Sequence, residues 1–68
     1  MLNEKLLEEK IKRSGLKKGF IAQKIGVSST TFAALLKNRT EFKASQIREI
    51  CLLLDIKDDA EIRAIFFN

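Results

Sequence analysis

The chain has 68 residues, which allows one domain with a small hydrophobic core and excludes a multidomain protein. Hydrophobic residues make up 46% of the chain and charged residues 32%, the net charge is +4, and proline and histidine are absent. No apolar run approaches the roughly 20 residues of a membrane-spanning helix. We therefore expect one soluble, all-α domain over residues 1–68 that spans no membrane.

The side chains give no indication of catalysis. The one cysteine, Cys51, lies in an apolar helical run, and without histidine the chain has neither a metal-binding cluster nor a base that would activate the thiol. A glycine-rich phosphate loop is also missing. We therefore expect Cys51 to be a core residue, and we expect no enzymatic activity, cofactor, metal or small-molecule substrate.

The first predicted helix runs from about Asn3 to Ser14. Asn3 is a good N-cap, and the left-handed conformation that glycine adopts readily would end the helix at Gly15. Leu16 then returns the chain to the core. The apolar face of this helix comprises Leu6, Leu7 and Ile11.

Two short helices follow, predicted at about Lys18 to Ile25 and Ser29 to Lys37. Gly26 can end the first of them in a left-handed conformation, which places Val27 between the two helices. Ser28 can then cap the second helix by accepting a hydrogen bond from a free backbone N–H group. The predicted buried face of that helix comprises Phe32, Leu35 and Leu36. This combination is typical of a helix-turn-helix.

The pattern Ala22-x-x-x-Gly26-Val27-Ser28-x-x-x-Phe32-x-x-Leu35 resembles the helix-turn-helix of the lambda-type Cro and repressor family. The resemblance extends from about Leu6 to Ile56 and is closest to the small Cro-like regulators of temperate phages. It implies a compact five-helix bundle of the lambda-repressor type, with helices 2 and 3 as the motif. Helix 3 would then enter the major groove of DNA.

The chain departs from the family pattern at two places. The family often begins the first motif helix with a capping serine or threonine followed by glutamine, whereas this chain has Lys17, Lys18 and Gly19. This change weakens the helix start and removes an amide that would read bases. Asn38 replaces the usual helix-ending glycine, and we expect it to adopt the same left-handed geometry.

Two further helices are predicted in the second half of the chain. Phe42 is expected to fill the edge of the core before a fourth helix, which starts within Lys43 to Ser45 and ends near Leu54. Leu52 and Leu53 make this helix apolar over much of its circumference, so we expect it to be the central helix.

The last predicted helix opens with a capping box. Asp58 would be its N-cap and Glu61, three residues later, would complete the box. Phe67 lies off the apolar stripe of this helix. The predicted inner face comprises Ile62, Ile65 and Phe66.

Positive charge is concentrated around the two motif helices. Between Lys10 and Arg48 there are ten lysines or arginines and one acid, Glu41, which gives this segment a charge of +9 and leaves −5 for the two ends. A protein that approaches phosphates needs its cations on the approaching face. Charge and motif together predict binding to double-stranded DNA.

The helical wheel of the second motif helix selects the residues that would face DNA. The resemblance implies that Ser29 and Thr30 meet base edges and that Ala34 approaches a thymine methyl group. The predicted base-facing residues are Lys18, Ser29, Thr30, Thr31, Ala33 and Ala34. Lys18 could reach either a guanine edge or the DNA backbone. The predicted phosphate contacts are Ser28, Lys37, Arg39, Thr40 and Lys43.

These features favour a transcriptional repressor that occupies operator DNA and excludes polymerase. The alternative is a helical protein-interaction module, such as an antirepressor or an antitoxin-like subunit, with Phe66 and Phe67 as anchors. A basic helix on a membrane surface is a third alternative. A homodimer would form through the last helix or only on adjacent DNA half-sites. Residues 1–4 lack the order of a secretory signal, so we expect the cytoplasm, in a bacterial host if the phage resemblance holds.

Overall fold

Five α-helices, in the order that the apolar periodicity predicts, make up the regular structure of the chain. The computed structural model describes residues 1–68 and contains no β-strand. None of the helices is both long enough and apolar enough to cross a membrane. The helices are α1 (Glu4–Ser14), α2 (Lys18–Ile25), α3 (Ser29–Leu36), α4 (Ala44–Leu54) and α5 (Asp59–Phe66). The predicted all-α class is confirmed.

The start and end of α1 are confirmed at the level of single hydrogen bonds. The side-chain Oδ1 of Asn3 accepts the backbone N–H of Leu6 at 3.1 Å, so Asn3 is the N-cap. Gly15 ends the helix with φ at 74°, in the left-handed region. Leu16 is partly buried against the core, as predicted.

The next three helices end in the same way as α1, each with one left-handed residue. At the end of α2, Gly26 has φ at 79°, and the N–H of Val27 donates to the carbonyl of Ala22 at 3.0 Å. Asn38, at φ 60°, plays this part after α3, as predicted. Asp55, at φ 57°, does so after α4. Each turn uses carbonyls that a helix end leaves without partners. After Gly26 and Asp55 the next residue, Val27 or Ile56, packs in or against the core.

Fifteen buried residues form one hydrophobic core, and none of them is charged or polar apart from the thiol of Cys51. Around this core, α2 packs against α3 and α4, while α1 packs against α3, α4 and α5. Each helix contributes one of the largest fully buried side chains. They are Leu7, Ile21, Phe32, Ile50 and Ile65.

The expectation that α4 is a central helix, apolar on most sides, is wrong. Leu52 is 72% exposed and Leu53 is only partly buried, so α4 is amphipathic. Its buried side comprises Ile50, Cys51 and Leu54. The other helices cover α4 from one side only, and an apolar residue on its far side meets solvent.

The predicted capping box at the start of α5 is also wrong in its second half. Asp58 caps the helix by accepting the N–H of Ala60 at 3.0 Å. Glu61 points away from the cap and forms an ion pair with Lys10 of α1, with 2.6 Å between Nζ and Oε2. The ion pair with Lys10 competes with a hydrogen bond from the backbone N–H of Asp58 to the Glu61 carboxylate, and it links α5 to α1.

Asn38 joins the beginning of the chain to the end of α3. Its Oδ1 accepts the N–H of Leu2 at 3.2 Å, and its Nδ2 donates to the carbonyl of Leu2 at 2.9 Å. The N–H of Asn3 in turn donates to the carbonyl of Ile65 at 2.6 Å. Residues before α1 are therefore fixed between α3 and α5. The sequence predicted the backbone conformation of Asn38 but not this use of its side chain.

The burial of Phe32 leads to a stability prediction. Phe32 is 2% exposed, and replacing it by alanine should lower the free energy of unfolding by about 3–5 kcal/mol, comparable with the total stability of a domain of this size. Leu52→Ala is the matched control, since this side chain is 72% exposed, and it should cost under about 0.5 kcal/mol. Urea unfolding followed by circular dichroism measures both. Equal losses for the two variants would contradict the packing of α3.

Candidate functional site

The outer face of α3 consists of short side chains. Burial of the opposite face, through Phe32 and its apolar neighbours, leaves Ser29, Thr30 and Ala33 exposed. Ala34, predicted to lie on the same outer face, is partly buried, so only part of its surface is accessible. The exposed face therefore offers hydroxyl and methyl groups and no long side chain before the helix ends.

Ser28 fixes the first turn of α3. Its Oγ accepts the N–H of Thr31 at 3.1 Å, which confirms the predicted N-cap. The same hydroxyl donates to Oγ1 of Thr31 at 3.0 Å. The side chain of Thr31 is therefore exposed but already engaged in the cap. Of the hydroxyls predicted to face bases, those of Ser29 and Thr30 have no partner within the chain.

A surface cavity of about 240 Å³ brings together residues from both motif helices. Lys18, at the start of α2, lies on its wall with Ser29 and Ala33 of α3, and Lys37 lies where α3 ends. Four of the residues that were predicted to contact DNA thus share one concave surface. Glu8 of α1 also lines this cavity, and it was not among the predicted residues.

The start of α2 leaves backbone donors available. Lys17 is the N-cap residue, and its side chain forms no capping hydrogen bond. This agrees with the expectation that the Lys17, Lys18 and Gly19 sequence weakens the helix start. Uncapped N–H groups at a helix N-terminus can donate to an anion.

Exposed cations continue beyond α3. Lys37, Arg39 and Lys43 are exposed and form no ion pair within the chain. The backbone N–H of Arg39 donates to the carbonyl of Ala34 at 3.0 Å, so the left-handed turn at Asn38 holds this residue close to α3. Thr40, a predicted phosphate contact, instead lines a different cavity, together with Phe42 and Phe67.

Three other lysines of the basic segment have partners within the protein. Lys10 pairs with Glu61, and Lys18 pairs with Glu8 at 3.0 Å. The ammonium group of Lys24 lies 5.5 Å from the ring centroid of Phe20. The +9 charge of the segment therefore overstates the number of cations that are free to meet an anion.

Glu8 is the charged residue that the sequence analysis missed. It lies ten positions before Lys18, in the part of the chain that was counted as an acidic end. A helical wheel of α1 places it beside Leu7 and one turn before Ile11, on the border of the buried face. That position indicates that Glu8 contacts a neighbouring helix. Only the fold shows that this helix is α2.

The aromatic residues at the carboxyl end have unequal environments. Phe66 is buried and meets the ring of Phe42 edge to face, with the ring centroids 5.6 Å apart. Phe67 is 64% exposed. The expectation that both would anchor a partner is wrong for Phe66, because its ring is part of the core.

Cys51 is buried, as predicted. Burial raises the pKa of its thiol, and the nearby charge of Glu61 raises it further. A raised pKa keeps the thiol protonated at neutral pH, and the thiolate is the reactive form. Cys51 therefore behaves as an apolar core residue.

No protein-family model matches the chain, and neither does any curated protein or solved structure. Membership of the Cro and repressor family accordingly remains a prediction from the residue pattern. A function can be inferred from the geometry and charge of α2, α3 and the segment that follows them.

Proposed function

We propose that the protein is a sequence-specific transcriptional regulator, a Cro-like repressor that binds double-stranded DNA with α3 in the major groove. One observation carries the proposal. The exposed face of α3 has only short side chains, Lys18 of α2 lines the same cavity as that face, and the exposed cations Lys37 and Arg39 follow the carboxyl end of the helix. The major groove is wide enough for a helix, and the phosphates form its two edges.

The connection between α2 and α3 supports a helix-turn-helix. Two eight-residue helices are joined through Gly26 in a left-handed conformation, and the second begins at the Ser28 cap. Val27 is partly buried against the core beside this turn. A second helix held in this way against the first is the arrangement that presents a recognition helix to DNA.

Phosphate contacts would supply most of the affinity. Arg39 and Lys43 would bind the backbone beyond the carboxyl end of α3, and the uncapped N–H groups at Lys17 would bind it near the start of α2. Each cation that neutralises a phosphate releases a condensed counterion. Binding should therefore weaken steeply as salt is added.

Base reading would depend on small groups. A bidentate contact needs arginine, glutamine or asparagine, and the exposed face of α3 has none of them before Lys37. Hydroxyl contacts from Ser29 and Thr30, methyl packing from Ala33, bridging water and DNA shape would supply the specificity. We expect a modest preference for the operator over unrelated DNA.

Occupation of an operator is sufficient for repression. A bound protein covers the promoter and excludes polymerase, with no catalytic step. Two copies on adjacent half-sites, one helical turn of DNA apart, would present two α3 helices to successive major grooves. The dimer would then form on DNA, with the half-site spacing fixed by its symmetry.

Arg39 provides the electrostatic test of this proposal. If a bound pair neutralises about eight phosphates, the logarithm of the association constant should fall against the logarithm of the salt concentration with a slope of roughly −7. Arg39→Ala should make this slope shallower by about one unit per subunit and leave the sequence preference nearly unchanged. Filter binding to a duplex selected from a random library measures both quantities.

Arg63→Ala is the matched control, because Arg63 is also exposed but lies on α5, outside the basic segment. It should leave the slope within experimental error of the unmodified protein. A slope near zero for the unmodified protein would contradict DNA binding and favour the protein-interaction module.

The manner of base reading has its own prediction. Ser29→Ala should weaken operator binding by under about 1 kcal/mol, since it removes one ordinary hydrogen bond. Ala33→Gln places a long side chain on the exposed face of α3 and should weaken binding at least tenfold, roughly 1.4 kcal/mol, by keeping the helix out of the groove. Fluorescence anisotropy with a labelled operator duplex gives both affinities.

Ala64→Gln makes the same change at an exposed position of α5 and should leave the affinity unaltered. Thermal unfolding of each variant shows whether the fold is kept. A loss of several kcal/mol for Ser29→Ala would replace the small-group account with a direct hydrogen-bonded readout.

A further inference from the structure

We propose that Glu8 competes with DNA phosphate for Lys18 and so reduces the affinity of this protein for DNA of any sequence. The inference depends on the proposed function, since it concerns the same DNA-binding surface. It assigns to α1, which lies outside the two motif helices, a part in setting the strength of binding.

The geometry of the pair carries this inference. Nζ of Lys18 lies 3.0 Å from Oε1 of Glu8 and 3.1 Å from Oε2, so one ammonium group meets both carboxylate oxygens. The side chains are about half exposed, at 54% for Lys18 and 44% for Glu8. The ion pair is therefore formed in the free protein, and an incoming anion can still reach it.

The pair also lies where DNA would be. Both residues line the cavity that contains Ser29 and Ala33, the base-facing side of α3. Glu8 is the one acid on this cavity, and Lys37, which also lines it, has no ion pair. A phosphate that approaches Lys18 thus meets a carboxylate already bound to it.

Competition follows from charge balance. While Lys18 is bound to Glu8, the pair has no net charge and attracts phosphate only weakly. If Lys18 moves to a phosphate, the carboxylate of Glu8 is left within about a Debye length, roughly 10 Å, of the DNA backbone and must find another cation. The counterion released from the DNA is then taken up at Glu8, and the usual gain from that contact is lost.

Removing the carboxylate charge should therefore restore one full phosphate contact. Glu8→Gln should steepen the salt dependence by about 0.9 per subunit, which corresponds to about tenfold tighter binding per subunit at about 0.1 M salt and about threefold at about 0.3 M. The gain should be similar for the operator and for an unrelated duplex, because phosphate contacts carry no sequence information. Anisotropy titrations with both duplexes over a salt series measure this effect.

Glu9→Gln is the matched control. Glu9 is the next residue of α1, is exposed, forms no ion pair, and lies about 100° further around the helix, outside this cavity. It makes the same change in net charge, and we expect less than about a twofold gain. Equal gains for the two variants would overturn the inference while leaving DNA binding intact.

A double-mutant cycle separates competition for Lys18 from direct repulsion of DNA by Glu8. In a Lys18→Met background, Glu8→Gln should change the affinity by less than about twofold, because no ammonium group remains to be released. A full gain in that background would overturn the inference in favour of direct repulsion. Thermal unfolding of all four proteins checks that each is folded. If neither the unmodified protein nor Glu8→Gln binds any duplex at low salt, the proposed function and this inference both fail.

Discussion

The burial of one face of α3 is the constraint on which the rest of the structure depends. Phe32, Leu35 and Leu36 lie in the core, so the opposite face of this short helix must meet solvent. An eight-residue helix is too short to be stable by itself, and its tertiary packing holds it in place. The same packing that stabilises the domain therefore presents the side chains that we propose to read DNA.

The direction of α3 depends on the two residues that bound it. Gly26 turns the chain before the helix, and Asn38 turns it afterwards while its side chain holds the backbone of Leu2. Alanine at position 26 would meet the strain that a left-handed conformation imposes on residues with a Cβ atom, and alanine at position 38 would lose the side-chain hydrogen bonds to Leu2. Both the fold and the proposed function thus depend on these two positions, although neither residue is expected to touch a base.

Local chemistry made much of this fold predictable from the sequence. Helix bounds, the caps at Asn3 and Ser28, and the left-handed turns at Gly26 and Asn38 all depend on residues close together in the chain. The errors arise where distant segments meet. A helical wheel shows that Leu52 continues an apolar stripe, but not that no other helix covers it. The partners of Glu61 and Glu8 lie on other helices, so only the packing of α1 against its neighbours reveals them.

The most direct measurement is the change in backbone amide chemical shifts when a selected operator duplex is added to isotopically labelled protein. If α3 binds DNA as proposed, the largest changes should occur at Lys18, along the exposed side of α3 from Ser29 to Ala33, and at Arg39. Changes should be small at Leu52 and Phe67, which are exposed but lie away from α2, α3 and the segment that follows α3. Changes concentrated at those two residues, or no changes at a duplex concentration well above that of the protein, would contradict DNA binding through α3.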